Sequence, residues 1–120
     1  MVAQLAERPP QTALLGDAST VFLVAFEGDD PIGFVLAYEL PRRHGDAAML
    51  LVYEIGVDDA HRRRGVATSL LVELARIARE RRIGEGFVLT DPDNDAANAL
   101  YASQDGERRD VVEWDFRYHH

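Results

Sequence analysis

Three consecutive arginines, Arg62, Arg63 and Arg64, precede Gly65, Val66 and Ala67 and form the longest run of positive charge in an acidic chain. Gly65 and the small Ala67 let an anion come close to the backbone, and Thr68 continues the same turn. If a helix starts at Val66, the N–H groups of its first turn have no intrahelical partners and the helix dipole adds partial positive charge there. The neighbouring guanidinium groups strengthen that field, so the chemistry this turn suits is the binding of a phosphate or diphosphate. The spacings Gly-x-x-x-x-Gly-Lys-Ser/Thr and Gly-x-Gly-x-x-Gly are both absent, so neither ATP nor NAD is indicated. A charge run alone is as often a solvated surface patch.

Two other residues have types suited to proton transfer. Glu54 is the one charge inside an apolar run over residues 47–57. Partial burial there would raise its carboxyl toward the range of a general base, and its charge would attract a cation. The plain alternative is an edge-facing glutamate paired with an arginine. Tyr101 follows Asn94 at i+7, so the two share a helix face. Tyr101 is then either a core aromatic with a satisfied hydroxyl or a proton donor aimed at a cleft.

The elements that must position these residues follow from periodicity. Residues 1–17 look irregular, with Pro9 and Pro10 breaking any helix, and are expected to be a short lead-in. A β-branched and aromatic run at 21–26, the turn residues 28–31 and a second run at 32–38 predict a β-hairpin. A polar loop at 41–46 leads to a strand over 47–57 whose apolar continuity suggests cover on both faces. Val66, Leu70, Leu71, Leu74, Ile77 and Ala78 fall on one helical stripe, ended by Gly84 and Gly86. A short strand at 87–90 then completes a strand–helix–strand unit with a right-handed crossover. Asn94 caps a second helix reaching about Gln104, and the alternation at 111–118 predicts a final strand. The order is β-β-β-α-β-α-β, an α/β or α+β mixed sheet with two helices on it.

Composition bounds the rest. The 120 residues suffice for a single domain, 1–120, and 47% hydrophobic with 28% charged residues is a globular balance. Cysteine is absent, and the histidines at 44, 61, 119 and 120 lack the i, i+4 spacing of a helical ligand pair, so no metal is expected. A net charge of −8, with all 13 basic residues arginine, argues against nucleic acid and favours a cationic partner. Asp91, Asp93 and Asp95, with Glu107, Asp110, Glu113 and Asp115, would place a negative field before such a partner. Helix-dipole compensation and ordinary solubilising charge explain the same residues equally well. The longest apolar stretch, 47–53, falls short of the roughly 20 residues of a membrane span and no leader pattern opens the chain, so no membrane and a cytoplasmic location are expected.

With those elements in place, three motifs resemble the GNAT superfamily of acetyl-coenzyme A-dependent N-acetyltransferases. Arg62-Arg63-Arg64-Gly65-Val66-Ala67 is similar to its Arg/Gln-x-x-Gly-x-Gly/Ala diphosphate loop, Ile55-x-Val57 leads into it, and Asn94-x-x-Ala97-x-x-x-Tyr101 is similar to its element beside the thioester. The wording of residues 53–57 and 61–63 most resembles aminoglycoside 3-N-acetyltransferases of the AAC(3)-I type. The resemblance implies the GNAT fold, with acetyl-coenzyme A as cosubstrate and a small cationic amine as acceptor, first of all an aminoglycoside amine. It implies that Arg62, Arg63, Arg64, Gly65, Val66, Ala67 and Thr68, with Asn94 and Ala97, bind coenzyme A. By the same resemblance, backbone groups at Ile55 and Val57 would hold the pantetheine arm and polarise the thioester, and Tyr101 would lie beside the coenzyme and protonate the departing thiolate. From their own charge and position, Glu54 is the expected base and Glu54 with Asp91 the groups expected to meet the amine. A homodimer is the family-based expectation.

Two departures stand out. Residues 1–17 leave little chain for the strand and helices that open a complete GNAT domain, so the domain is expected to be N-terminally shortened, with a reduced acceptor side. Where the family usually has Gly-Phe after the tyrosine, this chain has Ala102 and Ser103, which predicts a displaced connection. A polyamine, a peptide or another small amine is the alternative acceptor, and a coenzyme A-binding module without turnover is the alternative of a different class.

Overall fold

The structure, a computed structural model, describes residues 11–15, 19–42 and 48–119. Five strands form one sheet in chain order: β1 (Gln11–Leu15), β2 (Thr20–Glu27), β3 (Asp30–Leu40), β4 (Met49–Val57) and β5 (Glu85–Val88). β1 to β4 run antiparallel, and β5 joins β4 in parallel. Helix α1 (Val66–Glu80) makes the crossover between them, and α2 (Asp95–Ser103) follows β5. The hairpin, the crossover helix and the second helix stand where the periodicity placed them.

The alternation of β2 and β3 decides which face α1 covers. Val21, Leu23, Ala25, Val35 and Ala37 are buried on one face, and Val66, Leu70, Leu74 and Ile77 close over them in a single cluster. Burying one such aliphatic side chain is worth about 1.5–3 kcal/mol, so this cluster is the main stabilising feature of the molecule. The outer face of α1 carries Arg76, which bonds Glu73 and Glu80. Glycine fixes the approach of α1 at its first turn. A Cβ on Gly33 would lie 2.9 Å from a Val66 methyl and 3.1 Å from the Gly56 carbonyl. The start of the helix is therefore seated on β3 through a position that only glycine fills.

Three expectations are corrected. Residues 11–15 are not irregular lead-in but β1, paired along its length with β2. They carry no clear alternation, and it is the edge of β2 that organises them; the rest of the expected lead-in, residues 1–10 and 16–17, lies outside the described residues. The tail is not a strand: residues 106–119 contain no helix or strand, and Val112, Trp114, Phe116 and Tyr118 are 71–82% exposed. Alternation becomes a strand only when a partner takes its backbone hydrogen bonds, and among the described residues none pairs with it. The observed order is thus β-β-β-β-α-β-α. Finally, β4 is not covered on both faces, since Leu50 is its one fully buried residue and Tyr53 and Glu54 are exposed. The expected loop at 41–46 and the start of the following strand at 47, with His44, fall for the most part outside the described residues, as does His120.

Candidate active site

β4 carries the geometry that opens the site. Its ladder with β3 slips by one residue, so that Glu54 opposes Leu36 and Val52 opposes Ala37, leaving Tyr53 as a bulge. Extra residues of this kind re-aim side chains and bend the strand. The Tyr53 ring rests against that of Tyr38, with centroids 5.7 Å apart. At the same point the parallel pairing ends, because Met49 to Val52 match Glu85 to Val88 and no further pair forms. β5 begins two residues earlier than the expected 87–90. Glu85 and Gly86 have little strand preference of their own; they join the strand by pairing with Met49 and Leu50, and Glu85 also pairs with Arg42.

From that divergence a cleft of about 240 Å³ opens, lined by Tyr53, Glu54, Ile55, Val88, Leu89, Thr90, Asn94, Ala97 and Tyr101. Five sequence-predicted residues, Glu54, Ile55, Asn94, Ala97 and Tyr101, thus meet in one place. Along residues 53–57 the β5-facing side of β4 has no strand partner among the described residues; at its far end the Val57 carbonyl accepts from Arg62 Nε at 3.4 Å, and before that the strand edge has room for an extended polar ligand.

α2 is placed by side chains of its own loop. The Asn94 Oδ1 accepts from the Ala97 N–H at 3.1 Å, capping the helix as expected. Asn98, which is not among the sequence-predicted residues, donates to the carbonyls of Asp91 and Asn94 at 3.0 and 2.8 Å and so fastens the loop to the helix. A second Asn four residues after the cap was the available signal. The helix closes with Asp105 in the left-handed region at φ 64 and the Gly106 N–H donating to the Tyr101 carbonyl at 3.0 Å. Tyr101 is half-buried, and burial pushes its phenol above the ordinary value, keeping the proton on oxygen.

Glu54 departs from expectation, since it is exposed where partial burial was expected. The bulge turns it out into the cleft mouth and away from the core. Asp91 is exposed and does not line the cleft; its carbonyl, not its carboxylate, takes part in the loop. The Glu113 carboxyl is held above its usual range by Asp115 first and also by Asp91, so the tail adds its negative charge near this loop.

The arginine-rich turn occupies the far end of β4. A 3₁₀ turn at Asp59–His61 leads to Arg63, left-handed at φ 63, and to Gly65, left-handed at φ 82. Gly65 is the N-cap of α1 and provides no capping side chain, and the first turn holds no acidic residue. The backbone N–H groups at Val66, Ala67 and Thr68 are therefore offered to an anion, while the Val66 side chain points into the core and is 1% exposed. Arg62 pairs with Asp59 at 3.1 Å, and Arg64 lies 3.9 Å from Glu27. Val57 lines a different hollow, with Phe34 and Gly56, and not the cleft.

Among the described residues no group of three His, Asp or Glu side chains could hold a metal ion, and no helix is long and apolar enough to cross a membrane.

Comparison with known proteins agrees with this layout. The acetyltransferase (GNAT) family profile matches residues 3–106. An L-2,4-diaminobutyric acid acetyltransferase of Streptomyces anulatus is 36% identical over 96 residues, covering 79% of this chain and 52% of the relative. The chain thus spans about half the length of the curated relatives it matches. Among solved structures, the aminoglycoside acetyltransferase HMB0005 from an uncultured soil metagenomic sample superposes with a TM-score of 0.81 at 32% identity, over 88% of this chain and 70% of that one. AAC(6')-Iy, bound to the bisubstrate analogue CoA-S-monomethyl-acetylneamine, shares the fold at 21% identity with a TM-score of 0.74, over 85% of this chain and 72% of that one. A mixed sheet that splays between β4 and β5, an uncapped helix start behind three arginines and a profile match over most of the length lead to one assignment: the chain belongs to the GNAT acetyltransferase family.

Proposed function

We propose that this chain transfers the acetyl group of acetyl-coenzyme A to a primary amine of a small cationic molecule, and that an aminoglycoside amine is its first substrate class. The observation that carries the reading is the convergence of Glu54, Asn94, Ala97 and Tyr101 on a cleft that opens where β4 and β5 part. The diphosphate of the coenzyme sits on the N–H groups of residues 66–68, with Arg62, Arg63 and Arg64 supplying charge. The pantetheine arm runs beside the unpaired side of residues 53–57 and brings the thioester into the cleft. Asn94 and Ala97 shape the floor beside it.

An alkyl ammonium has a pKa of about 10.4 and is unreactive at neutral pH, so a proton must leave before nitrogen attacks. Glu54, exposed at the cleft mouth, takes that proton directly or through water and draws the cation in. Nitrogen attacks the thioester carbon in a ternary complex, and backbone N–H groups near Ile55 to Val57 take the developing oxyanion. The C–S bond breaks, the Tyr101 hydroxyl donates its proton to the departing thiolate, and the second proton that nitrogen loses on becoming an amide returns through water to the Tyr101 phenolate. Its burial, which keeps the phenol protonated, supports this role. No metal and no covalent enzyme intermediate is required. Asp91, Asp93 and Asp95, with the acidic tail, give the approach a negative potential.

Structural likeness to HMB0005 at 32% identity supports the aminoglycoside assignment. The 36% identity to a diaminobutyric acid acetyltransferase supports a second reading, a short diamino acid, and both substrates offer a primary amine near a second one. Free-thiol release from acetyl-coenzyme A should be measured with 2-deoxystreptamine aminoglycosides, 2,4-diaminobutyrate, polyamines and peptides, for the parent, Glu54→Gln and Tyr101→Phe. Aminoglycoside-dependent release that falls at least tenfold in each variant, about 1.4 kcal/mol of transition-state stabilisation, is expected. Turnover of diaminobutyrate alone would move the assignment to the second reading. Silence across the panel, with coenzyme A still raising the melting temperature, would leave a donor-binding module.

A further inference from the structure

His61 plays no part in the steps above, yet it is the most enclosed polar side chain of the arginine-rich turn, 17% exposed. Its Nδ1 lies 3.0 Å from Asp58 Oδ2 and its Nε2 lies 3.3 Å from Glu27 Oε1. These carboxylates come from separate parts of the fold. Asp58 directly follows β4, and its N–H donates to the Ile32 carbonyl at 2.8 Å, whereas Glu27 closes β2 at the hairpin turn. Glu27 also lies 3.9 Å from Arg64, on the other side of the same turn, and opposes Asp30 across the hairpin. Arg62 is taken up by Asp59. Among the described residues the carboxylates that touch the ring are Asp58 and Glu27, with Arg64 beside Glu27 and Asp30 opposite it in the hairpin.

Ionised carboxylates only accept hydrogen bonds, so both contacts form together only when both ring nitrogens carry hydrogen. A neutral imidazole has one N–H and turns a lone pair toward the second carboxylate. We infer that His61 is a positioning residue for the coenzyme-binding turn: as an imidazolium it ties Asp58 to Glu27 and holds residues 62–67 against the end of the β2–β3 hairpin, with the first-turn N–H groups facing outward. The inference rests on the proposed coenzyme site for its functional meaning, and on the three side chains alone for its geometry.

The direction of the pH effect follows. Hydrogen bonds to Asp58 and then Glu27 raise the His61 pKa above its ordinary value. As long as Asp58 and Glu27 are ionised, the tie is complete below about pH 6.5, the unfolded imidazole value, and is lost as pH rises through the elevated folded value. The turn is thus held best in mildly acidic to neutral solution.

The test is a pH titration of the full chain between about pH 5.5 and 9, following the histidine rings and the backbone amides by NMR. The parent, His61→Gln and Glu27→Gln are compared, and coenzyme A affinity is measured at the two ends of the range. The amides of residues 63–67 should follow the His61 ring, with a midpoint above the ordinary imidazole value. Glu27→Gln should lower that midpoint, and His61→Gln should abolish the response. Coenzyme A should bind the parent about threefold or more weaker above the midpoint than below it, after subtraction of the pH dependence seen with His61→Gln, which reports the titration of the ligand itself. A ring that titrates without moving those amides overturns the inference, as does an affinity with the same pH profile in parent and His61→Gln. If the amides follow the ring but coenzyme A does not bind, the tie stands and the proposed donor site falls. If His61→Gln fails to fold, the midpoint and amide response of Glu27→Gln decide the matter.

Discussion

The two helices of this molecule are built on different principles. α1 buries Val66, Leu70, Leu74 and Ile77 against the sheet, whereas α2 buries none of its residues. The start of α1 is fixed by a glycine contact from β3, while α2 is fixed by an Asn cap, the amide of Asn98 and a left-handed closure at Asp105. The start of α1 therefore inherits its geometry from the core, and the cleft end depends on local hydrogen bonds worth about 0.5–1.5 kcal/mol each. A rigid arginine-rich turn and a more lightly held cleft wall is the arrangement this difference teaches, and it suits the proposed roles of an unvarying donor and a varying acceptor. Local opening will cost least where packing is least.

That contrast can be broken or sharpened by substitution. The largest effect belongs to Leu70→Ala, at a fully buried position of α1, with an expected loss of about 2–5 kcal/mol read as a lower denaturant midpoint or melting temperature. Leu100→Ala, at a half-buried position of α2, should cost clearly less; equal losses would dissolve the distinction between the helices. Next comes Gly33→Ala, whose Cβ would meet the Val66 methyl at 2.9 Å. About 1–3 kcal/mol of overpacking is expected, together with weaker coenzyme A binding, because the helix start must shift. Unchanged affinity in a folded Gly33→Ala would separate the helix seat from the donor site. The smallest global effect is that of Asn98→Ala, about 1 kcal/mol, but amide exchange should accelerate in residues 91–103 while the strands keep their protection.

The parts of the fold that were legible in the sequence are those whose partners lie close along the chain. The hairpin of β2 and β3, the stripe of α1 and the Asn94 cap are local patterns, and each formed where its pattern stood. The pairing of residues 11–15 was invisible because their strand is imposed by β2. At 111–118 the reverse holds: the pattern is strong, but no described strand supplies the partner. The site followed the same division. Residue types and spacing located the turn at 62–68, singled out Glu54 as the one charge in an apolar strand and put Asn94 and Tyr101 on one helix face, while Ala97 came from the family resemblance alone. The bulge at Tyr53 that opens the cleft and exposes Glu54 depends on the β3–β4 register, which no single strand encodes. Asp91 was expected at the amine because acidic loops attract cations, yet its backbone carbonyl is what the loop uses.

The central claim is that the coenzyme spans the molecule from the start of α1 to the cleft beside α2. The most direct measurement is amide and side-chain NMR mapping of coenzyme A binding to the full chain. The account predicts perturbations at residues 62–68, along 53–57 and at Tyr101, with the buried faces of β2 and β3 unmoved. Perturbations confined to the hollow around Phe34 and Gly56, or saturable binding that leaves residues 66–68 unshifted, would contradict it.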